Sequence, residues 1–438
     1  MGTLQLLGEN SGALRTPGVR RRLAVTLGAV VLFRLGQTVP LPGVHPAATG
    51  RVAGGADHTD QLRGLLDLVT GGGLFRLAWL PFGVLPVLLA RMLTPALTRL
   101  HPRLTALRPE HLDGSRAGMI LLMRRTALVL GVLGGVALGI VAEGGAGTDG
   151  GGGSVAAGGG VLRIHGALAV TVVAACVAAG TALVLWLSEW AGRRGLGDGV
   201  SVLLFAQVLA VLPGQLWDVR TAEGDGRFAL VLAAALAALV VTTALVVTGR
   251  SAERRIPYQF AKRMIGRRPF GAPDRGYVPF VLSHRGFVPA VTAGLLLAPL
   301  WLSPLVCGVA LFVLAAVGAW VAVFVAREVG AAADGLARAG AFVPGIRPGG
   351  PTADYLGYVR GRTAVVEVLG TGTVAVLPTL LLTAVGTADG YAFGGTSLLV
   401  VAGAALGAVG GVLRDLQEAA TLHRYAARGG TTSAGTVG

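Results

Sequence analysis

The sequence predicts an all-α polytopic membrane protein with ten transmembrane helices in two five-helix halves. Three observations predict it. The chain is 53% hydrophobic and only 13% charged over 438 residues, with a mean hydropathy of +0.69, too apolar for a water-soluble domain. Its apolar runs repeatedly approach the ~20 residues that a helix needs to cross a bilayer core. Between those runs, basic residues fall in alternate connections, as the positive-inside rule requires. The short alternating segments of a membrane β-barrel are missing from this pattern.

Taken in order, the first span covers residues 23–42. The basic cluster Arg20–Arg22 precedes it, which places the N-terminus in the cytoplasm. No signal-peptide cleavage site is evident after it. A polar, Gly-rich outside segment, 45–73, carries one short amphipathic piece, Gln61–Thr70. As residue types alone, that piece reads as an interfacial helix. Span two is 74–97, and the basic loop 99–125 lies inside. Span three is 126–142. The outside linker 143–160 resembles a phosphate loop only in its glycine content, because no Lys-Ser/Thr follows. Span four, 161–188, ends at an inside turn with Arg193 and Arg194. Span five is 197–214.

A mixed-charge outside turn, 215–227, acts as the hinge between the halves 1–214 and 228–438. Span six is 228–248, and a basic cytoplasmic loop, 249–285, follows. Within it Arg250–Arg268 holds seven basic residues and one acidic residue, so this loop does much to fix the topology. Spans seven and eight are 286–302 and 304–326. A second cytoplasmic loop is 327–362. Spans nine and ten, 363–384 and 394–413, lead to a basic, cytoplasmic tail. The two five-span halves suggest the paired architecture of several transport folds, without a clear internal sequence repeat.

The net charge of +15 follows from these loops and by itself does not call for nucleic acid. Cys176 and Cys307 lie inside apolar runs and read as small core residues, not as a disulfide or metal pair. The seven histidines show no metal-ligand spacing. No nucleotide loop or nucleophile constellation is present in the pattern, so the sequence implies neither an enzyme nor a cofactor.

Six stretches carry a more specific resemblance. They are VLFRLGQTVPLPGV (31–44), LDLVTGGGLFRLAWLPFGVLP (66–86), WLSEWAGRRGLGDGVS (186–201), RRIPYQFAKRMIGRR (254–268), GAFVPGIRPGGPTADY (340–355) and FGGTSLL (393–399). In this order they resemble segments of the SecY family, the central subunit of the bacterial protein-translocation channel.

The resemblance implies a ten-helix clamshell around an hourglass pore, with a lateral gate between spans two and seven. Its function would be to pass unfolded preproteins across the plasma membrane and to release apolar segments sideways into it. By motif match the ring at the waist would be Val84, Leu88, Val200, Leu204, Val291 and Val400. As residue types these six fit any lipid- or core-facing position. A ring of such side chains can nevertheless gate by excluding water. The plug would be residues 59–72. The resemblance further implies SecE- and SecG-type small membrane subunits, a SecA-type ATPase or a ribosome as the driving partner, and preprotein signal sequences as clients.

Arg254, Arg255, Lys262, Arg263, Arg267, Arg268 and Arg347 would form the docking surface for motor or ribosome. Topology and attraction to anionic membrane lipids account for the same charges. Pro344, Gly345, Pro348 and Gly349 would hold Arg347 at a loop tip.

Three positions depart from the family pattern. Arg91 follows Pro86 in span two where small polar residues are usual. Arg285 opens span seven where an Asn-x-Ala-Gly pattern is usual. Asp198 stands where Asn is common. Arg91 and Arg285 would flank the inner part of the lateral gate and repel both each other and the basic start of a signal sequence; alternatively Arg91 snorkels inward. These departures keep open a non-conducting scaffold or an accessory channel for a few dedicated substrates. A small-solute transporter would need ionisable groups at mid-membrane, for which Glu367 is the main candidate.

Overall fold

The computed structural model of the chain describes residues 17–42, 60–74, 76–100, 115–144, 166–251, 253–260, 263–265, 268–270, 276–281, 293, 304–326, 329–384 and 395–433. The expected seventh span, apart from Ala293, lies outside these residues, as do Arg285, Val291, Lys262 and Arg267. The helices are α1 (Pro17–Thr38), α2 (Asp60–Thr70), α3 (Leu85–Leu100), α4 (Ser115–Gly144), α5 (Ala167–Arg194), α6 (Gly199–Ser251), α7 (Pro304–Ala326), α8 (Val329–Arg338), α9 (Gly350–Ala384) and α10 (Gly395–Ser433). Among the described residues six apolar segments are long enough to cross a membrane, at 118–142, 167–194, 199–221, 226–249, 350–383 and 397–416. Large apolar side chains stand exposed along them, among them Leu133, Ile140, Leu209, Val240, Val365 and Leu369. Water would not tolerate so much exposed apolar surface; lipid does.

Two elements differ from expectation. Span two does not begin as helix at residue 74: residues 71–74 and 76–84 form turns, bends and a single bridge, and α3 starts at Leu85. Gly71, Gly72, Gly73, Pro81 and Gly83 deny this apolar run a regular helix, and Leu77 takes a φ of 46°. The expected turn at 215–227 is also helical, because α6 runs unbroken for 53 residues from Gly199 to Ser251. Nothing between Gln215 and Glu223 is a strong helix breaker. Glu223 and Asp225 separate its two apolar stretches, 199–221 and 226–249, whose facing ends carry Asp218, Arg220 and Arg227.

The chain divides into two compact units. The first comprises Met1–Arg91, Leu121–Gly224 and Val400–Gly438; the second comprises Met92–Ile120 and Asp225–Leu399. The core of the first unit gathers Ala29 and Phe33 from α1, Leu80, Val84, Val87 and Ala90 around the start of α3, Ala127 from α4, and Val184, Leu187, Ala191, Val200 and Leu203 from α5 and α6. Helices α4 and α5 approach closely through Gly131, Gly135 and Gly139. A Cβ at these positions would come within 2.4 Å of Thr181 Oγ1, 2.8 Å of Ala174 Cα and 3.0 Å of Val170 Cα. Small residues four apart are a common way to bring membrane helices together. At one end of this pair Arg124 donates from Nε and Nη2 to the two carboxylate oxygens of Glu189.

In the second unit α7 packs on α9 through Leu311, Ala315 and Ala375, joined by Ala293 and Leu399. The unit also contains strands where loops were expected. β1 (Glu253–Phe260) pairs antiparallel with β4 (Gly276–Val281) and with β5 (Ala341–Phe342), while β2 (Arg263–Ile265) pairs with β3 (Arg268–Phe270). One strand of the first expected cytoplasmic loop is thus hydrogen-bonded to a strand of the second. Ile256 from β1 is buried with Ala333, Val343, Leu356 and Val359, so this small sheet has a core of its own.

Candidate functional site

The first unit brings five of the six ring candidates into its interior. Val84, Leu88, Val200, Leu204 and Val400 are all buried, and Val84 and Val200 share one apolar cluster. On α6, Val200 and Leu204 belong to a stripe that continues through Gln207, Val211 and Gln215, at spacings of four, three, four and four. Such spacings lie on one helix face, and all five side chains are buried. The aliphatic part of this stripe carries the ring candidates; its two amides reach α2.

Helix α2 is the amphipathic piece singled out in the sequence. Leu65, Leu68 and Val69 are buried. Its C-terminal end is held by backbone and side chains together. Gly71 adopts φ 74°, and Gly72 N donates to Asp67 O at 2.9 Å, the closure typical of a helix ending at a left-handed glycine. Gln37 Nε2 donates to Thr70 O at 3.1 Å. Gln207 Nε2 donates to Leu68 O at 3.4 Å and also to Val69 O. Further along the helix, Gln215 Nε2 donates to Gly64 O at 2.8 Å. Sequence reasoning did not select Gln37, Gln207 or Gln215. The signal available was their type: Gln37 and Gln207 are amides in otherwise apolar spans, and Gln215 directly follows one.

The turn between α5 and α6, part of the WLSEWAGRRGLGDGVS stretch, is fastened from three sides. Thr26 Oγ1 of α1 accepts from Leu196 N at 2.9 Å. Asp415 Oδ2 of α10 accepts from Gly197 N at 2.6 Å. Arg91 of α3 donates from Nη1 and Nη2 to Asp198 Oδ2 and Oδ1 at 2.8 and 2.9 Å. Asp198 also caps α6, accepting from Ser201 N at 3.3 Å and Ser201 Oγ at 2.9 Å. Burial alone would push the Asp198 carboxyl up. The bonds and charge of Arg91, with the Ser201 hydroxyl and amide, more than offset this and bring it below the ordinary carboxylate value. Two of the three departures from the family pattern are therefore partners in one ion pair.

In the second unit Arg254 and Arg255 stand exposed on β1, with Arg255 over the ring of Tyr277 at 4.9 Å. Arg263 and Arg268 lie on the β2–β3 pair. Arg347 is exposed at a loop tip between Gly345, φ 83°, and Gly349, φ 97°. Its neighbour Ile346 packs against the core beneath the sheet, and Thr352 Oγ1 donates to Arg347 O at 2.8 Å. The tip is therefore a fixed mount and not a loose loop.

The family model that matches the chain is SecY, over residues 79–409. The protein translocase subunit SecY of Streptomyces scabiei is 32% identical over 432 residues, covering 93% of this chain and 97% of the relative. That of Mycobacterium bovis is 31% identical over 445 residues, covering 94% and 98%. Among solved structures, a protein-conducting channel superposes with a TM-score of 0.55 at 14% identity, covering 90% of this chain and 92% of the other. Sec61 from the canine ribosome–channel complex gives 0.53 at 13%, with the same coverage. A SecY channel studied for the plug domain that stabilises its closed state gives 0.52 at 14%. These likenesses show the all-α polytopic fold expected from the sequence, and on the matches to family model and relatives the chain belongs to the SecY family.

Proposed function

We propose that this chain is the protein-conducting channel subunit of a plasma-membrane translocase, with both termini in the cytoplasm, passing unfolded preproteins across and releasing apolar segments into lipid. The observation that carries the reading is the α6 stripe: Val200 and Leu204 are buried, as are Val84, Leu88 and Val400, Val200 shares an apolar cluster with Val84, and Gln207 and Gln215 hold α2. An aliphatic waist with a helix seated against it suits a pore that must pass a chain and hold back ions. In this reading α2 is the plug, and Val291 completes the ring.

The exposed Arg254, Arg255 and Arg347, with Arg263 and Arg268 on their paired strands, support docking of a SecA-type ATPase or of ribosomal RNA phosphate. SecE- and SecG-type subunits would complete the complex. Arg91 and Arg285 would flank the inner part of the lateral gate. The pairing of Arg91 with Asp198 weakens the case for a non-conducting relative, because the arginine that suggested one is charge-compensated.

The test is depletion of the native SecY in a host carrying this chain, with export of a signal-bearing reporter as the readout. Rescue is expected. Insertion and binding to a SecE-type subunit without rescue would assign the chain to dedicated substrates or to a scaffold instead.

A further inference from the structure

We propose that Gln207 and Gln37 are positioning residues that latch the plug in the closed channel by clamping the carbonyl end of α2; the proposal rests on α2 being the plug.

A helix leaves its last four carbonyls without partners inside the helix. At the end of α2 these belong to Asp67, Leu68, Val69 and Thr70. Asp67 O is closed by Gly72 N. Every remaining carbonyl goes to one of two glutamine amides: Leu68 and Val69 to Gln207, and Thr70 to Gln37. Both side chains are fully buried, at 0% and 1% exposure, where an amide without partners is costly. Their oxygens are engaged as well. Gln207 Oε1 accepts from Gln37 Nε2 at 3.3 Å and from Val84 N at 3.3 Å, and Gln37 Oε1 accepts from Arg34 Nη1 at 2.6 Å.

The backbone leaves room for this arrangement. A Cβ on Gly71 would lie 2.4 Å from Gln37 Nε2, and one on Gly83 would lie 2.3 Å from Gln207 Oε1. The result ties three things together: the end of α2, the ring face of α6, and the amide of the ring candidate Val84. Moving α2 away must break all three bonds from the two Nε2 groups to its carbonyls.

Three properties follow from the chemistry. The latch grips backbone, so it does not depend on the plug's own side chains. Its two amide contacts with α2 are uncharged, so salt screens them little; the one charged contact lies just past the helix, where Arg34 Nη1 donates to Gly71 O at 3.4 Å. It is also reversible, because in a water-filled pore both amides and carbonyls exchange their bonds for bonds to water at small net cost.

The experiment uses the full chain in host membranes and measures resting ion leak, the export rate of a reporter with an intact signal, and export of the same reporter with a weakened signal. Gln207→Met keeps the size and removes the donors, together with the acceptor of Val84 N and Gln37 Nε2. It is expected to raise resting leak and weak-signal export about tenfold, as losing a few neutral hydrogen bonds should, and to leave membrane accumulation and intact-signal export unchanged. A purely structural role would lower accumulation and both export rates together. Deletion of residues 60–70 is the reference. If the deletion raises leak and Gln207→Met does not, the plug stands and the latch is overturned. If the deletion leaves leak unchanged, the plug reading itself fails. Where Gln207→Met does not accumulate, Gln37→Met, which removes the bonds to Thr70 and Gln207 and the acceptor of Arg34, is read against the same outcomes. Failure of both variants to accumulate makes these residues structural and overturns the proposal.

Discussion

Arg91 of α3 and Asp198 at the head of α6, 107 positions apart, are joined by two parallel hydrogen bonds of 2.8 and 2.9 Å. This two-pronged geometry is the strong form of a guanidinium–carboxylate contact. It also resolves a puzzle in the sequence, where an arginine near a pore helix and an aspartate in place of asparagine read as separate departures. Both side chains remain partly exposed, at 40% and 43%, so the pair is worth about 1 kcal/mol or less. The helix cap that Asp198 provides is worth about another 1 kcal/mol. Arg91→Ala should therefore lower the unfolding free energy of the detergent-solubilised chain slightly. Asp198→Ala should lower it more, and Asp198→Asn should match Arg91→Ala. A double-mutant cycle measures the coupling; zero coupling would show that the two bonds are geometrically present but energetically idle.

The same pair predicts a pH dependence with a definite sign. The Asp198 carboxyl lies below its ordinary value, near 4 in an unfolded chain. A depressed carboxylate stabilises the fold above its unfolded value and loses that contribution as pH falls through the folded one. The stability difference between the parent chain and Asp198→Asn should be constant from about pH 7 to pH 5 and shrink on further acidification. A difference that grows toward acid would contradict the ion pair.

Much of this was legible in the sequence, and the limits have physical causes. Hydropathy placed α7 well, at about 304–326, because its apolar run is bounded by Pro304 on one side and by Arg327 and Glu328 on the other. It misplaced the start of span two, because an apolar run reads alike whether its backbone is helix or glycine-punctuated turns such as 71–74 and 81–84. It missed the sheet joining Gln259 and Phe260 to Phe342 and Ala341, whose two-residue partner strand has no periodicity to detect. The motif match found the ring candidates through residue identity. It passed over Gln37 and Gln207 because a buried amide has meaning only when its partners are known, and these lie 33 and 138 positions away.

Gly197 is predicted to be indispensable to the α5–α6 turn. Its φ is 77°, and a Cβ there would lie 3.2 Å from Val412 N of α10. Its own amide is donated to Asp415. Gly197→Ala should cost about 1–2 kcal/mol from the left-handed backbone alone, more if α10 cannot yield. Asp415→Asn should cost less, because the amide oxygen can still accept. Urea unfolding of the solubilised chain, followed by circular dichroism, distinguishes the two.

Arg347 and Ile346 are neighbours with opposite expected phenotypes. Arg347 is exposed at the tip, while Ile346 packs into the core under the sheet. Arg347→Glu should leave melting temperature unchanged and weaken binding to the motor or ribosome at least tenfold, an effect that diminishes as salt rises. Ile346→Ala should lower the melting temperature by forming a cavity worth about 2 kcal/mol or more, with binding lost only where the sheet unfolds. Loss of stability in Arg347→Glu would mean that the tip serves the fold and not a partner.

Water exclusion at the waist can be tested without altering its shape. Val84, Val200 and Val400 are buried ring candidates, whereas Val240 on α6 is 66% exposed. A threonine has nearly the outline of valine and adds a hydroxyl, which costs stability only where it is buried without a partner. If the ring holds back ions by being too apolar to wet, the triple change of Val84, Val200 and Val400 to Thr should increase resting ion leak through the full chain in vesicles. Export of a signal-bearing reporter should stay within about twofold, since the bore is unchanged. Val240→Thr should alter neither. Equal leak from the Val240 variant and the triple variant would place the barrier elsewhere, in α2 alone, and the Gln207 and Gln37 variants would then carry the whole effect of opening.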